Sequence, residues 1–420
     1  MIPAAAAHHD TAPVSPLRAI TTLGGGLVLL LMGSTLTTPI FELYRQQFSL
    51  TGVWVTAIFA AYVVGVLAAL IGAGRLSTHV AGRAPAVTAA MLSIAATLLF
   101  ATAGSVTTIG VARVLSGVSV GLCTGTLTAM LKDALPARQA AVVSSACIAT
   151  GLASGPLLAQ AAIAWLPDPA HAAYWLYLPL PIAALLLFAT HPGSSRVRTP
   201  STSTPSTEPV ARQRVALSTA TLCCAYALNG YYLALVPTLM QQNLASGTLI
   251  ASLAVSILLA TSAVGQTLTR SRPQAPMERA GLACLVTGAL AATAAAVGAS
   301  ALGFLGATVV LGVGHGLTTS SSLTALHAAM PPNRSAEIIA RYFACGYLAS
   351  AVPILGVGWL GDRFGLTSAA VAFFGVVALL AVGCRIALRS PDSQVTHVPG
   401  LVDRHDTTNP VARSCGAEER

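Results

Sequence analysis

Arg113-Val114-Leu115-Ser116-Gly117-Val118-Ser119-Val120-Gly121 places one cation and two glycines four residues apart in an apolar run that is otherwise uncharged from roughly 107 to 131. A guanidinium at such a depth costs several kcal/mol in hydrocarbon unless it is paired, faces a cavity or snorkels, so it marks a candidate functional group. The glycines make a small-x-x-x-small face on which a neighbouring helix can come close. The run is long enough to cross a hydrocarbon layer of about 30 Å as a helix.

On either side of that run the chain keeps the same character. Of its 420 residues 55% are hydrophobic and 8% charged, and the mean hydropathy is +0.74, whereas a soluble domain carries about 25% charged residues. Hydropathy and the Gly, Pro and charge punctuation predict spans at roughly 19 to 43, 52 to 74, 84 to 103, 107 to 131, 141 to 164 and 173 to 190. A second set is predicted at roughly 215 to 239, 246 to 269, 280 to 298, 302 to 327, 337 to 358 and 367 to 388. The expected organisation is a tail at 1–18, a six-helix bundle at 19–190, a linker at 191–214, a second bundle at 215–389 and a disordered tail at 390–420. The Ser, Thr and Pro content of the linker cannot bury a core. The first apolar run is too long for a signal-peptide core and lacks a cleavage site, so it is expected to be retained.

Charge sets the orientation. With a cytoplasmic amino terminus, Arg18, Arg75, Arg83, Lys132, Arg138, Arg196, Arg198, Arg212, Arg214, Arg270, Arg272, Arg279, Arg334 and Arg389 all fall inside, and the outer loops keep little beyond Arg45 and Arg363. The positive-inside rule therefore puts both termini in the cytoplasm of a bacterial inner membrane. In this setting the net charge of +9 implies no nucleic-acid partner. The eight cysteines lie mostly singly in apolar runs, without zinc-ligand or disulfide spacing. Lys132 is the only lysine and no glycine-rich phosphate loop surrounds it, which excludes ATP drive. The 13 acids are scattered through loops and tails, so no clustered set points to an enzyme.

The halves repeat. Thr128–Arg138 and Thr324–Arg334 share Thr, Ala, Pro and Arg at one offset, and Gly155-Pro156-Leu157-Leu158 is echoed by Val352-Pro353-Ile354-Leu355. The fourth span thus corresponds to the tenth, and the fifth to the eleventh; duplication of this kind is common in transporters.

Three local patterns carry a family resemblance. The loop from Gly74 to Arg83 looks like a Gly-x-Leu-Ala-Asp-Arg-x-Gly-Arg pattern, with Thr78 in place of the Asp and the glycine displaced by one. Arg113, Gly117 and Gly121 match Arg-x-x-x-Gly-x-x-x-Gly, and Gly151, Gly155 and Pro156 match Gly-x-x-x-Gly-Pro. Together they resemble the major facilitator superfamily over nearly the whole chain. The resemblance implies an all-α membrane protein with two pseudo-symmetric six-helix bundles, working as a monomer by alternating access. It also implies a small-molecule substrate and drive by a proton gradient with no other cofactor. The span-five pattern is associated with exporters of drugs and metabolites; uptake of a nutrient, or a non-transporting sensor of the same fold, are the alternatives.

Two departures bear on the coupling chemistry. The span-one Asp of many drug antiporters is missing from Leu30–Pro39, and no Asp or Glu falls in the middle of any span. Glu42, one turn past Pro39, is the nearest acid: it can pair with Arg113 in a switch broken by protonation, or point to water. Arg113 has a structural alternative of its own, bonding carbonyls of span one. His315, between Gly314 and Gly316, is either a proton carrier or a packed, hydrogen-bonded residue. Glu337 and Arg341 are spaced i,i+4 for a structural or gating pair. Since spans one, four, seven and ten line the cavity in proteins this chain resembles, Thr35, Thr38, Tyr226, Asn229, Tyr232 and Ser320 are candidate cavity residues, with Tyr62 and Gln266 from spans two and eight. Aromatic rings with a few amides suit a moderately apolar organic solute.

Overall fold

The structure, a computed structural model, describes residues 15–76, 83–190, 212–242, 244, 247–269, 272–330 and 335–389. Most of both expected tails, residues 191–211 of the expected linker and residues 77–82 of the loop pattern lie outside the described residues, as do the surroundings of Gly74 and the side chain of Glu337. Among the described residues every regular element is a helix. We number the spans α1 (Pro16–Gln47), α2 (Gly52–Leu76), α3 (Ala84–Ala101), α4 (Val106–Ala134), α5 (Ala137–Trp165) and α6 (Pro169–Thr190). The second set comprises α7 (Arg212–Ala234 and Val236–Gln242), α8 (Thr248–Leu268), α9 (Gln274–Val297), α10 (Ala301–Ala329), α11 (Ser335–Phe364) and α12 (Leu366–Ala387). Among the described residues, eleven helices are long and apolar enough to span a membrane, and twelve if the bent pair of α7 counts as one.

Local chemistry explains the ends. The Ser105 side chain accepts a hydrogen bond from Thr108 N at 3.2 Å and starts α4 as an N-cap. The helix stops at Leu135, which is held extended by Pro136. Ser300 starts α10 in the same way, accepting from Gly303 N at 3.1 Å. Within α7 the axis turns by 50° around Leu235, because Pro237 has no N–H to return to the preceding turn. The first span starts earlier and ends later than hydropathy alone suggests, since Tyr44, Arg45 and Gln46 continue the helix past the apolar residues.

Glycines decide how closely the helices pack. A Cβ at Gly117 would strike the backbone carbonyl oxygen of Tyr62, and one at Gly121 would lie 2.6 Å from the Ala69 Cβ, so α4 lies directly on α2. Gly151 meets the backbone of Val28, and Gly155 that of Met32, which brings α5 onto α1 around Pro156. The second half has matching seams, with Gly316 of α10 against the Ser262 carbonyl of α8 and Gly230 of α7 against the Ser350 carbonyl of α11.

Helices α1–α6 pack mostly with one another, as do α7–α12, and the two sets meet where α2 faces α11 and α5 faces α8. At the end carrying the termini, side chains tie helices within each half. Arg18 reaches the Thr190 carbonyl at 3.4 Å, Arg83 the Ala189 carbonyl at 2.6 Å and Arg279 the Leu388 carbonyl at 2.9 Å. At the opposite end, hydrogen bonds run from one half to the other. The Asp362 carboxylate accepts from the N–H groups of Gly52 and Val53 at 2.6 and 3.0 Å, capping α2 from α11. Gln160 of α5 donates to Thr248 at 3.1 Å and accepts from Ser252 at 3.2 Å. Ser256 donates to the Ala153 carbonyl at 2.9 Å nearer the middle.

Candidate functional site

Arg113 is 1% exposed. Its NH1 donates to the Ser34 carbonyl at 3.1 Å, and its Cζ lies 5.1 Å from the Phe41 ring centroid and 5.0 Å from that of Tyr62. This is the carbonyl contact to span one weighed as the structural role. It leaves Nε of the guanidinium without a partner, and the hydroxyls of Tyr44, Tyr174 and Thr37 form a buried polar cluster close by. A charged hydrogen bond contributes about 1.5–3 kcal/mol, and a desolvated cation–π contact about 2 kcal/mol. Those terms offset much of the cost of burying the charge, but they do not neutralise it.

Glu42 corrects both expectations for that residue. It is 2% exposed, so it does not point to water. It does not pair with Arg113 either: Arg45 holds it through Nε at 2.9 Å and NH2 at 2.8 Å, and Gln46 donates at 3.0 Å. The physical reason is the helix face. Arg113 meets Ser34 and Phe41, seven residues apart on one face of α1, whereas Glu42 is turned about 100° from Phe41 on a helix of about 3.6 residues per turn, toward Gln46 and Gln242. A further donor crosses between the halves, Gln242 of α7 at 3.2 Å from Glu42 Oε1. Glu42 therefore joins the contacts that close the end opposite the termini.

The other expected residues separate into seams and core. His315 Nδ1 lies 2.7 Å from Ser262 Oγ, Gln266 donates to the same oxygen at 3.4 Å, and Ser320 meets Thr269 at 2.6 Å. These three belong to the polar seam of α8 and α10, although His315 Nε2 is buried without a partner. Thr35 donates to the Leu152 carbonyl at 2.8 Å, tying α1 to α5, and Thr38 is buried in α1. Tyr232 is fully buried, bonded to Thr308 at 2.7 Å and stacked on Phe304. Tyr226 meets Tyr347 edge-on at 5.4 Å, next to Tyr62 from the other half. Asn229 is half-buried, with its Oδ1 unpartnered. Arg341 is exposed on α11.

One acid escaped the reading of the sequence. Glu278 is fully buried at the start of α9 and lies 2.6 Å from Arg214 of α7, while its Oε1 has no partner. Standing next to Arg279 at the edge of an apolar run, it reads as a solvated loop charge; only the gathering of Thr221 of α7, Tyr342 of α11 and Cys384 of α12 around it removes the water.

A cavity of about 640 Å³ lies between α5 and α8, from Ala153 and Ser256 toward the end that carries the termini. Ala149, Ser154, Ala260 and Val264 are among its walls, and none of its lining side chains is charged. The eight expected cavity residues are not among its lining: α5 and α8 part only beyond the Ser256–Ala153 bond, toward the end that carries the termini. Its size falls within the range of about 300–1,000 Å³ usual for small-molecule pockets. No cluster of His, Cys, Asp or Glu that could hold a metal occurs among the described residues.

A family model described as the Major Facilitator Superfamily matches residues 23–353. No curated protein matches the chain. Solved structures with the same fold include the human organic anion transporter MFSD10 (TETRAN), 18% identical, with 89% of this chain and 99% of that one covered and a TM-score of 0.60. Another is a bacterial homolog of the human lysosomal transporter Spinster, in an inward-facing and unoccupied conformation. It is 13% identical, with 89% of this chain and 97% of that one covered and a TM-score of 0.71.

Proposed function

This chain belongs to the Major Facilitator Superfamily, and from that premise we propose that it is a proton-coupled exporter of small, weakly polar organic drugs or metabolites, working as a monomer by alternating access. The observation that carries the reading is the asymmetry of the two ends. The halves are bonded together away from the termini and part around an uncharged cavity toward them. Rocking of two repeats about a central region turns such an asymmetry into transport. With the basic loops inside, the open end is the cytoplasmic one, and a solute would enter there to be released outside. The Gly151, Gly155 and Pro156 pattern in α5 inclines the direction toward export.

Protons enter the cycle through Glu42. As a carboxylate it holds Arg45 and, across the halves, Gln242; protonation removes the charge and weakens both, loosening the outer closure. The test is expression in a host stripped of its own exporters, with the accumulation of a panel of apolar dyes and antibiotics measured with and without a protonophore. The reading expects lower accumulation on expression and its loss with the protonophore. Raised accumulation would instead assign uptake, and no change across a broad panel would count against transport of this solute class.

A further inference from the structure

Arg113 carries a full positive charge inside the first six helices, and among the described residues no acid pairs with it. Among the described residues the acids found in ion pairs are taken by Arg45, His171 and Arg214. The guanidinium makes a single hydrogen bond, to a carbonyl, and its Nε faces no acceptor. The neighbouring hydroxyls of Tyr44 and Tyr174 are buried beside each other and Thr37. Tyr174 also borders a small void of about 10 Å³ with Ser116, one turn from Arg113 on α4, and Ser93. That is close to the room one water-sized particle needs. Arg113 Cζ lies over the rings of Phe41 and Tyr62, 5.1 and 5.0 Å from their centroids, and its donors point along the edge of the guanidinium.

We propose that Arg113 is the receptor for a single negative charge brought from outside the protein, either a small inorganic anion or the carboxylate of an organic solute. The edge of the guanidinium supplies the charge-assisted donors, and the hydroxyl cluster of Tyr44, Tyr174 and Thr37 turns a further donor toward the anion. Access runs past Tyr62. Tyr62 is partly exposed, whereas Phe41, Tyr44 and Tyr174 are buried, and it stands near Tyr226 and Tyr347 of the other half. A movement of the halves that frees Tyr62 therefore uncovers the cation. The proposal does not depend on the direction of transport or on its coupling to protons.

The test uses the full-length protein in detergent. Thermal unfolding is followed as sodium chloride, or separately sodium benzoate, is titrated into sodium sulfate at constant ionic strength. The expected result is a saturable rise of a few degrees with at least one of the two. Chloride alone identifies a small-anion site, benzoate alone a carboxylate site, and both a site that takes either. Arg113→Gln should abolish the response. Arg113→Lys keeps the charge but loses the fork and the stacking, and should shift the midpoint of the titration several-fold. If Arg113→Gln does not accumulate, Arg113→Lys and the wild type carry the test. A wild type that responds to neither salt overturns the proposal, as does a response whose midpoint both variants leave unchanged. Because no transport is measured, such a failure leaves the exporter reading standing.

Discussion

Arg214 and Glu278 show how much a buried charge depends on its partner. Glu278 is fully buried and Arg214 only 18% exposed, so Arg214→Ala strands a carboxylate and should lower stability by about 3–5 kcal/mol. Replacing both by leucine removes the stranded charge and should be milder than Arg214→Ala alone, as thermal unfolding of the purified variants would reveal. Glu42 makes a second case. Glu42→Gln keeps an acceptor for Gln242 but gives up the charge that holds Arg45, so export should lose its dependence on external pH; an unchanged pH profile would remove Glu42 as the proton site. Arg113 was legible from its lone position in an uncharged run. The partners of Glu42 and Glu278 were not, because each is completed by a residue from a distant helix: Gln242 stands 200 positions from Glu42, and Arg214 64 positions from Glu278.

Among the helices, glycine spacing was the most readable feature and remains the most testable. Gly117 and Gly155 stand where a neighbouring backbone leaves no room for a Cβ, while Gly125 on the same α4 faces open space. Gly117→Ala should therefore sharply reduce the yield of folded protein, and Gly125→Ala should be neutral or stabilising by about 0.5–1 kcal/mol, the gain of an unstrained helical alanine. Size-exclusion profiles of the two variants in detergent distinguish the outcomes, and equal profiles would remove the seam as the reason for the motif. The span-seven bend also follows from a visible residue, Pro237. The cavity does not. Its walls in α5 and α8 are alanines, serines, threonines and short aliphatics of the kind found in every other span, and only the parting of the two helices makes them a binding surface. Aromatic and amide residues drew the expectation toward α7, where Tyr232 turned out to fill the core.

For the protein as a whole, the distribution of charge, the duplication and the closure at one end are what the proposed alternating-access cycle builds on. Basic residues gather at the end that carries the termini and bind carbonyls within their own halves, which keeps each bundle rigid without joining the two. The bonds that join them at the other end, Asp362 to α2, Glu42 to Gln242 and Gln160 to α8, are the ones the proposed cycle breaks for the cavity to face outward. The most direct test is the distance between spin labels on Thr51 and Arg363 at that end, measured alongside a pair on Ala146 and Thr267 at the cavity mouth, with and without a solute identified by the accumulation screen. Alternating access predicts that the two distances change in opposite senses, the first lengthening as the second shortens. Distances that both stay fixed, or that lengthen together, would contradict it.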